Sequence, residues 1–142
     1  VVNSKNQEPE MLKGRCECGT VKFEIESEIQ ALSHCHCSMC RRLHGAAFAT
    51  FATVDSRAFR ILSGEQQLTH YSSSAHVVRT FCSECGSTLI ADAVEDESVR
   101  YVSMGALEGD LSHPPAVHEF VTSKADWYEI LDEGLQYEKS SP

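Results

Sequence analysis

Residues 34–40 read His-Cys-His-Cys-Ser-Met-Cys, which places three thiols, Cys35, Cys37 and Cys40, at C-x-C-x-x-C spacing. Two further pairs, Cys16 and Cys18 in "RCECGT" and Cys82 and Cys85 in "FCSECGS", are each followed at once by a glycine, Gly19 and Gly86. Seven cysteines is an odd number, so they do not make a complete disulfide framework within one chain, and tight clustering points to metal binding. In a metal-binding knuckle the chain turns sharply so that backbone N–H groups point at the thiolates. Glycine supplies the positive φ that such a turn needs. Two knuckles brought together make a closed four-sulfur centre from Cys16, Cys18, Cys82 and Cys85. That leaves Cys35, Cys37 and Cys40 as a second site with three protein ligands. Three ligands and one open position is the pattern of a catalytic zinc.

His36 is the other candidate for the fourth ligand of that second site, which would close it. If residues 35–37 are extended, however, His36 points away from Cys35 and Cys37. His34 shares the face of His36 and reads as a supporting or surface residue. His70, His76, His113 and His118 lack ligand spacing and read as ordinary polar residues, and Trp127 reads as core. Arg41 follows the cluster directly. Either Arg41 or Arg42 can offset the charge of a site rich in thiolates or hold a carboxylate of an anionic substrate; a solvated helix face is the plainer reading of both.

These residues need a scaffold that brings distant segments together. The chain has 142 residues, which suggests one domain large enough for a true core. A formal net charge of −9 and the lack of a basic run argue against a nucleic-acid partner. No apolar run approaches the length of a membrane span. The polar N-terminus resembles neither a signal nor a transit peptide, which favours the cytoplasm.

Residues 20–26 alternate Val21, Phe23 and Ile25 against Lys22, Glu24 and Glu26, as a half-buried strand does. Residues 46–54 read as a strand buried on both faces. Segments 58–62, 68–72, 76–82, 87–93 and 99–107 read as further short strands, with turns at Gly64, 72–74, Gly86 and 95–98. Residues 38–45 hold a helical turn or two that stop at Gly45, and 123–131 read as another short helix. The expected class is mainly β with small helical insertions. Its parts are a flexible arm over 1–12, one zinc-binding domain over 13–138 and a tail over 139–142.

The chain resembles the glutathione-dependent formaldehyde-activating family, relatives of the centromere protein V group. The resemblance runs through "GRCECGTVKFEI" (14–25), "HCHCSMCRRLHGAAFATF" (34–51), "FCSECGSTL" (81–89), "VSMGALEGD" (102–110) and "HEFVTSKADWYEILDEGLQYE" (118–138). It implies a β-tent fold, two facing antiparallel sheets held by zinc. It implies two zinc ions per chain, a structural one on Cys16, Cys18, Cys82 and Cys85 and a catalytic one on Cys35, Cys37 and Cys40. The activity it implies is condensation of formaldehyde with glutathione to S-hydroxymethylglutathione, a carbon–sulfur lyase reaction in reverse. The partners are then a small thiol and a small aldehyde. Two other classes stand beside this reading: a non-catalytic zinc-stabilised interaction module, and a thiol redox or metal-handling protein.

Overall fold

The computed structural model describes residues 11–142. Among the described residues, eleven strands form two sheets, accompanied by one short α-helix. The strands are β1 (Met11–Arg15), β2 (Lys22–Glu26), β3 (Ala31–Cys35), β4 (Ala49–Asp55), β5 (Phe59–Ser63), β6 (Leu68–Ser72), β7 (Val77–Cys82), β8 (Thr88–Ala93), β9 (Asp96–Ser103), β10 (Leu107–Glu108) and β11 (Ala116–Glu119). The helix α1 (Ser38–His44) follows β3. The smaller sheet has the order β10-β1-β2-β5 and the larger β11-β3-β4-β9-β8-β7-β6. Every pairing is antiparallel except β11 with β3, which is parallel, so the expectation of purely antiparallel sheets fails at that one edge.

The main core lies between the two sheets. Leu12, Phe23 and Ile25 from the smaller sheet meet Leu32, Ala52, Val54, Ile90 and Val102 from the larger. Period-two alternation sends the other residues of the larger sheet to its far face. Cross-strand partners share a face, and the register pairs Cys35 with Ala49, Thr53 with Tyr101, Tyr101 with Ala91 and Ala91 with Arg79. That far face carries a second apolar cluster of Cys40, Ala49, Phe51 and Ala91, with Cys35, Cys37, Val77 and Tyr101 packed against it. The three-cysteine segment is thus seated on the back of the larger sheet.

Several expected elements need correction. The arm expected over 1–12 falls largely outside the described residues, but Met11 and Leu12 belong to β1 and Leu12 is in the core. The turn expected at 95–98 is mostly strand, since β9 starts at Asp96. No helix forms over 123–131. A short 3-10 turn covers Val121–Ser123, and isolated turns follow it. The cause is the lack of a face to bury: Trp127 and Leu131, one helical turn apart, are 73% and 81% exposed, and Trp127 is no core residue. The tail is attached at Ser141, whose N–H donates to a Glu119 carboxylate oxygen at 2.6 Å. No helix of the described residues is long and apolar enough to cross a membrane.

Candidate metal centres

The first centre forms where the end of β1 meets the end of β7. The sulfurs of Cys16, Cys18, Cys82 and Cys85 all lie within 4.8 Å of one another. Gly19 and Gly86 both have φ +79, the left-handed conformation that each knuckle requires. Their N–H groups close the turns by donating to the Cys16 carbonyl at 3.1 Å and the Cys82 carbonyl at 2.7 Å. The Val21 N–H donates to Cys16 Sγ at 3.2 Å, and Thr20 Oγ1 and Ser87 Oγ lie 3.2 Å from Cys18 Sγ and Cys85 Sγ.

These contacts set the thiol acidities. The Ser87 hydroxyl pulls Cys85 down to about 5, and the Thr20 hydroxyl lowers Cys18. Burial pushes Cys82 up to about 11. The donor set fits a tetrahedral metal. Arms of 2.3 Å give sulfur–sulfur edges of about 3.8 Å, and Cys16–Cys18 and Cys18–Cys82 are 3.5 and 3.9 Å apart. A disulfide needs sulfurs at about 2.05 Å, and all seven cysteines are free.

The second centre is local. Cys35 ends β3, Cys37 caps α1, and Cys40 lies in its first turn. The Cys40 N–H donates to Cys37 Sγ at 3.3 Å. Gly45, φ 58, ends the helix with its N–H on the Arg41 carbonyl, where the sequence places the stop. The three sulfurs lie within 4.8 Å of one another, and no fourth Cys, His, Asp or Glu among the described residues joins them. Contacts from the Cys35 and Cys40 thiols pull Cys37 down to about 2, while Cys35 is pushed far up by the same interactions. Three sulfurs gathered this closely can hold a metal ion.

The groups around this cluster differ from those that the sequence suggests. Arg41 makes no side-chain hydrogen bond to the cysteines; its Nε is buried without a partner. The cation against the sulfurs is Arg79 of β7, whose Nη2 donates to Cys40 Sγ at 3.5 Å. Arg42 is exposed, the plain outcome for it. Five buried side-chain nitrogen or oxygen atoms among the described residues lack a hydrogen-bond partner. Four of them, His36 Nδ1, Arg41 Nε, His44 Nε2 and Arg79 Nη1, belong to residues in, beside or against this segment. Burial, and then the charge of Arg79, lowers His44. His44 also lines a cavity of about 700 Å³ that reaches Cys16 and Ser87; none of Cys35, Cys37 and Cys40 lines it.

His36 turns away from the sulfurs, as strand alternation requires, and is fully buried. Its Nε2 lies 2.8 Å from His118 Nδ1, and His118 Nε2 lies 3.0 Å from each carboxylate oxygen of Asp132. A carboxylate accepts only, so His118 donates from Nε2; when His118 is neutral, its Nδ1 accepts from His36 Nε2–H. His36 Nδ1 is then a bare lone pair. Burial, followed by repulsion from His118, pulls His36 down to about 4. Burial also lowers His34, whose Nδ1 lies 2.8 Å from Thr50 Oγ1. His118 is not the ordinary polar residue that its sequence context suggests. Its partner lies 82 positions away, a separation at which spacing carries no signal.

Comparison with known proteins places the sequence and the fold. The profile of a family described as glutathione-dependent formaldehyde-activating enzyme matches residues 11–123. A Halomonas elongata protein named as a candidate enzyme of that kind is 28% identical over 127 residues, covering 84% of this chain and 81% of its own length. An uncharacterised lyase of Schizosaccharomyces pombe is 23% identical over 120 residues, covering 84% and 85%. The crystal structure of a Rhodobacter sphaeroides protein superposes with a TM-score of 0.57 at 29% identity, covering 69% of this chain and 89% of that one.

Proposed function

Because this chain belongs to the glutathione-dependent formaldehyde-activating family, we propose that it is a zinc-dependent carbon–sulfur lyase and thiol-adduct synthase. Its substrates are a small thiol such as glutathione and formaldehyde or another small aldehyde. Cys16, Cys18, Cys82 and Cys85 hold a structural zinc; Cys35, Cys37 and Cys40 hold the catalytic one. The observation that carries this reading is the second cluster: three sulfurs within 4.8 Å, no fourth protein ligand among the described residues, and unpartnered buried polar atoms gathered about it.

A zinc ion held by three thiolates supplies a Lewis acid and keeps an incoming thiol deprotonated at neutral pH. The reaction forms one S–C bond between the thiol sulfur and the aldehyde carbon. The C=O π pair becomes a lone pair on oxygen. The proton that leaves sulfur is matched by one taken up at oxygen, and the reverse step restores thiol and aldehyde. The chain's own part is to orient the two reactants and to meet their polar groups, since proximity supplies much of the gain in a bimolecular addition. Arg41 lies one residue after Cys40 and receives a carboxylate of an anionic thiol. The interaction-module reading needs a closed second centre. His36, the residue available to close it, is engaged with His118 instead.

The test joins metal content with an NMR exchange assay of formaldehyde and glutathione. Two zinc ions per chain and exchange faster than the uncatalysed rate support the reading. A single zinc, or exchange at the background rate with both glutathione and a small neutral thiol, removes it.

A further inference from the structure

Arg79 stands on the far face of the larger sheet, against Phe51 and Cys40, and is only 5% exposed. Nε donates to Ser73 Oγ at 3.1 Å, Nη2 donates to Cys40 Sγ at 3.5 Å, and the guanidinium carbon lies 5.9 Å from the Phe51 ring centroid. Nη1 is buried and has no partner. None of the ion pairs among the described residues includes Arg79. A buried guanidinium without a counter-charge is strongly disfavoured, and the anions within reach here are the cluster's own thiolates. Three thiolates around a divalent cation leave one net negative charge, which Arg79 cancels. That accounts for Nη2 but not for Nη1. The latter is a charged donor on the same planar fork, held beside Cys40 and kept from water.

We propose that Arg79 is a specificity-determining residue of the three-cysteine centre. Its Nη2 holds Cys40, while its Nη1 binds an oxygen carried within two carbons of the substrate's sulfur. In the addition, that oxygen belongs to the aldehyde and then to the hydroxymethyl group. The proposal rests on the thiol-binding reading above and names the chain's own contact to the substrate oxygen. Lysine does not replace arginine here, because one ammonium cannot hold the sulfur and the oxygen in the fixed geometry of a guanidinium.

The test uses full-length protein loaded with cobalt, whose visible absorption reports ligands entering the centre. The probes are mercaptoacetate, which carries an oxyanion two carbons from sulfur, and ethanethiol, which does not. The parent protein takes up mercaptoacetate at least about tenfold more tightly than ethanethiol, the size expected of a hydrogen bond from a charged donor. Arg79→Gln loses that preference. Arg79→Lys keeps the charge, loads cobalt and shows a reduced preference, so it decides the matter if Arg79→Gln fails to load. An undiminished preference in either cobalt-loaded variant overturns the assignment. A parent protein that binds both thiols equally also overturns it while leaving thiol binding intact. A parent that binds neither thiol removes this assignment and the proposed function together.

Discussion

The two cysteine clusters gather the same atom, sulfur, in opposite ways. The four-cysteine centre joins segments more than sixty positions apart, at the ends of strands in different sheets: Cys16 follows β1 and Cys82 ends β7. Backbone N–H groups and hydroxyls address its sulfurs, and neither Thr20 nor Ser87, whose hydroxyls do so, is among the residues with an unpartnered buried side-chain nitrogen or oxygen. The three-cysteine centre draws on six consecutive positions, so it closes no long loop. It sits on the back of the larger sheet, where Arg79 Nη1, His44 Nε2 and Arg41 Nε are left unpartnered around it. A site that closes a fold satisfies its own polar groups. A site that receives a substrate leaves some for the substrate to satisfy.

The sharpest way to break this contrast is to remove one ligand from the closing centre. Apparent binding free energies for structural zinc are on the order of 10–16 kcal/mol, at or above the stability of a whole domain. Cys82 is fully buried in the main core, between the two sheets that this centre ties. Cys82→Ser therefore yields insoluble protein or a state without cooperative unfolding, read by thermal melting. A cooperative melt close to that of the parent would show that the centre does not hold the sheets together.

Chelation tests the same contrast without mutation. A four-thiolate centre that draws on both sheets exchanges slowly, whereas a three-thiolate centre with one position free is open to competitors. A mild chelator removes one zinc per chain and leaves the far-ultraviolet circular dichroism unchanged. Loss of both ions together would make the two centres equivalent.

Cys37→Ala is the matching single-ligand change in the local centre. Cys37 is half-buried and its segment crosslinks nothing distant, so the variant melts cooperatively. It holds one zinc, and its thiol exchange falls to background. Retained exchange would move the chemistry elsewhere in the molecule.

How far the sequence discloses this arrangement depends on the range of the signal. Knuckles are local, and the glycines at 19 and 86 announce them together with their φ. Strand alternation is local as well, and it already turns His36 away from its neighbouring thiols. Arg79 left a trace: an arginine set among apolar residues in "HVVRTFC" has to find an anion once that strand is buried. The trace is legible only when a partner is known, and Cys40 lies 39 positions away. The contact of His36 with His118 is more distant still and carries no pattern. Residues 123–131 misled in the opposite sense, since helix-compatible composition does not make a helix when Trp127 and Leu131 have nothing to pack against.

The smallest effect sharpens the comparison at its outer edge. Asp132 lies beyond the span matched by the family profile and holds His118, which holds His36 between two cysteines. No such chain reaches the four-cysteine centre among the described residues. The Gly134 N–H, and then His118, depress the Asp132 carboxyl below its ordinary value. A group whose folded pKa lies below its unfolded value contributes stability that is fully present above the unfolded value, near 3.9, and lost as pH falls through the folded one. Across neutral pH its contribution is therefore constant. Asp132→Asn lowers the urea midpoint slightly and equally at pH 6 and pH 8, and it speeds loss of the labile zinc without affecting the retained one. A cost that changes between those two pH values would mean that Asp132 acts through a group titrating there and not through its own charge. Faster loss of both ions would mean that the chain supports the whole fold and not the three-cysteine segment alone.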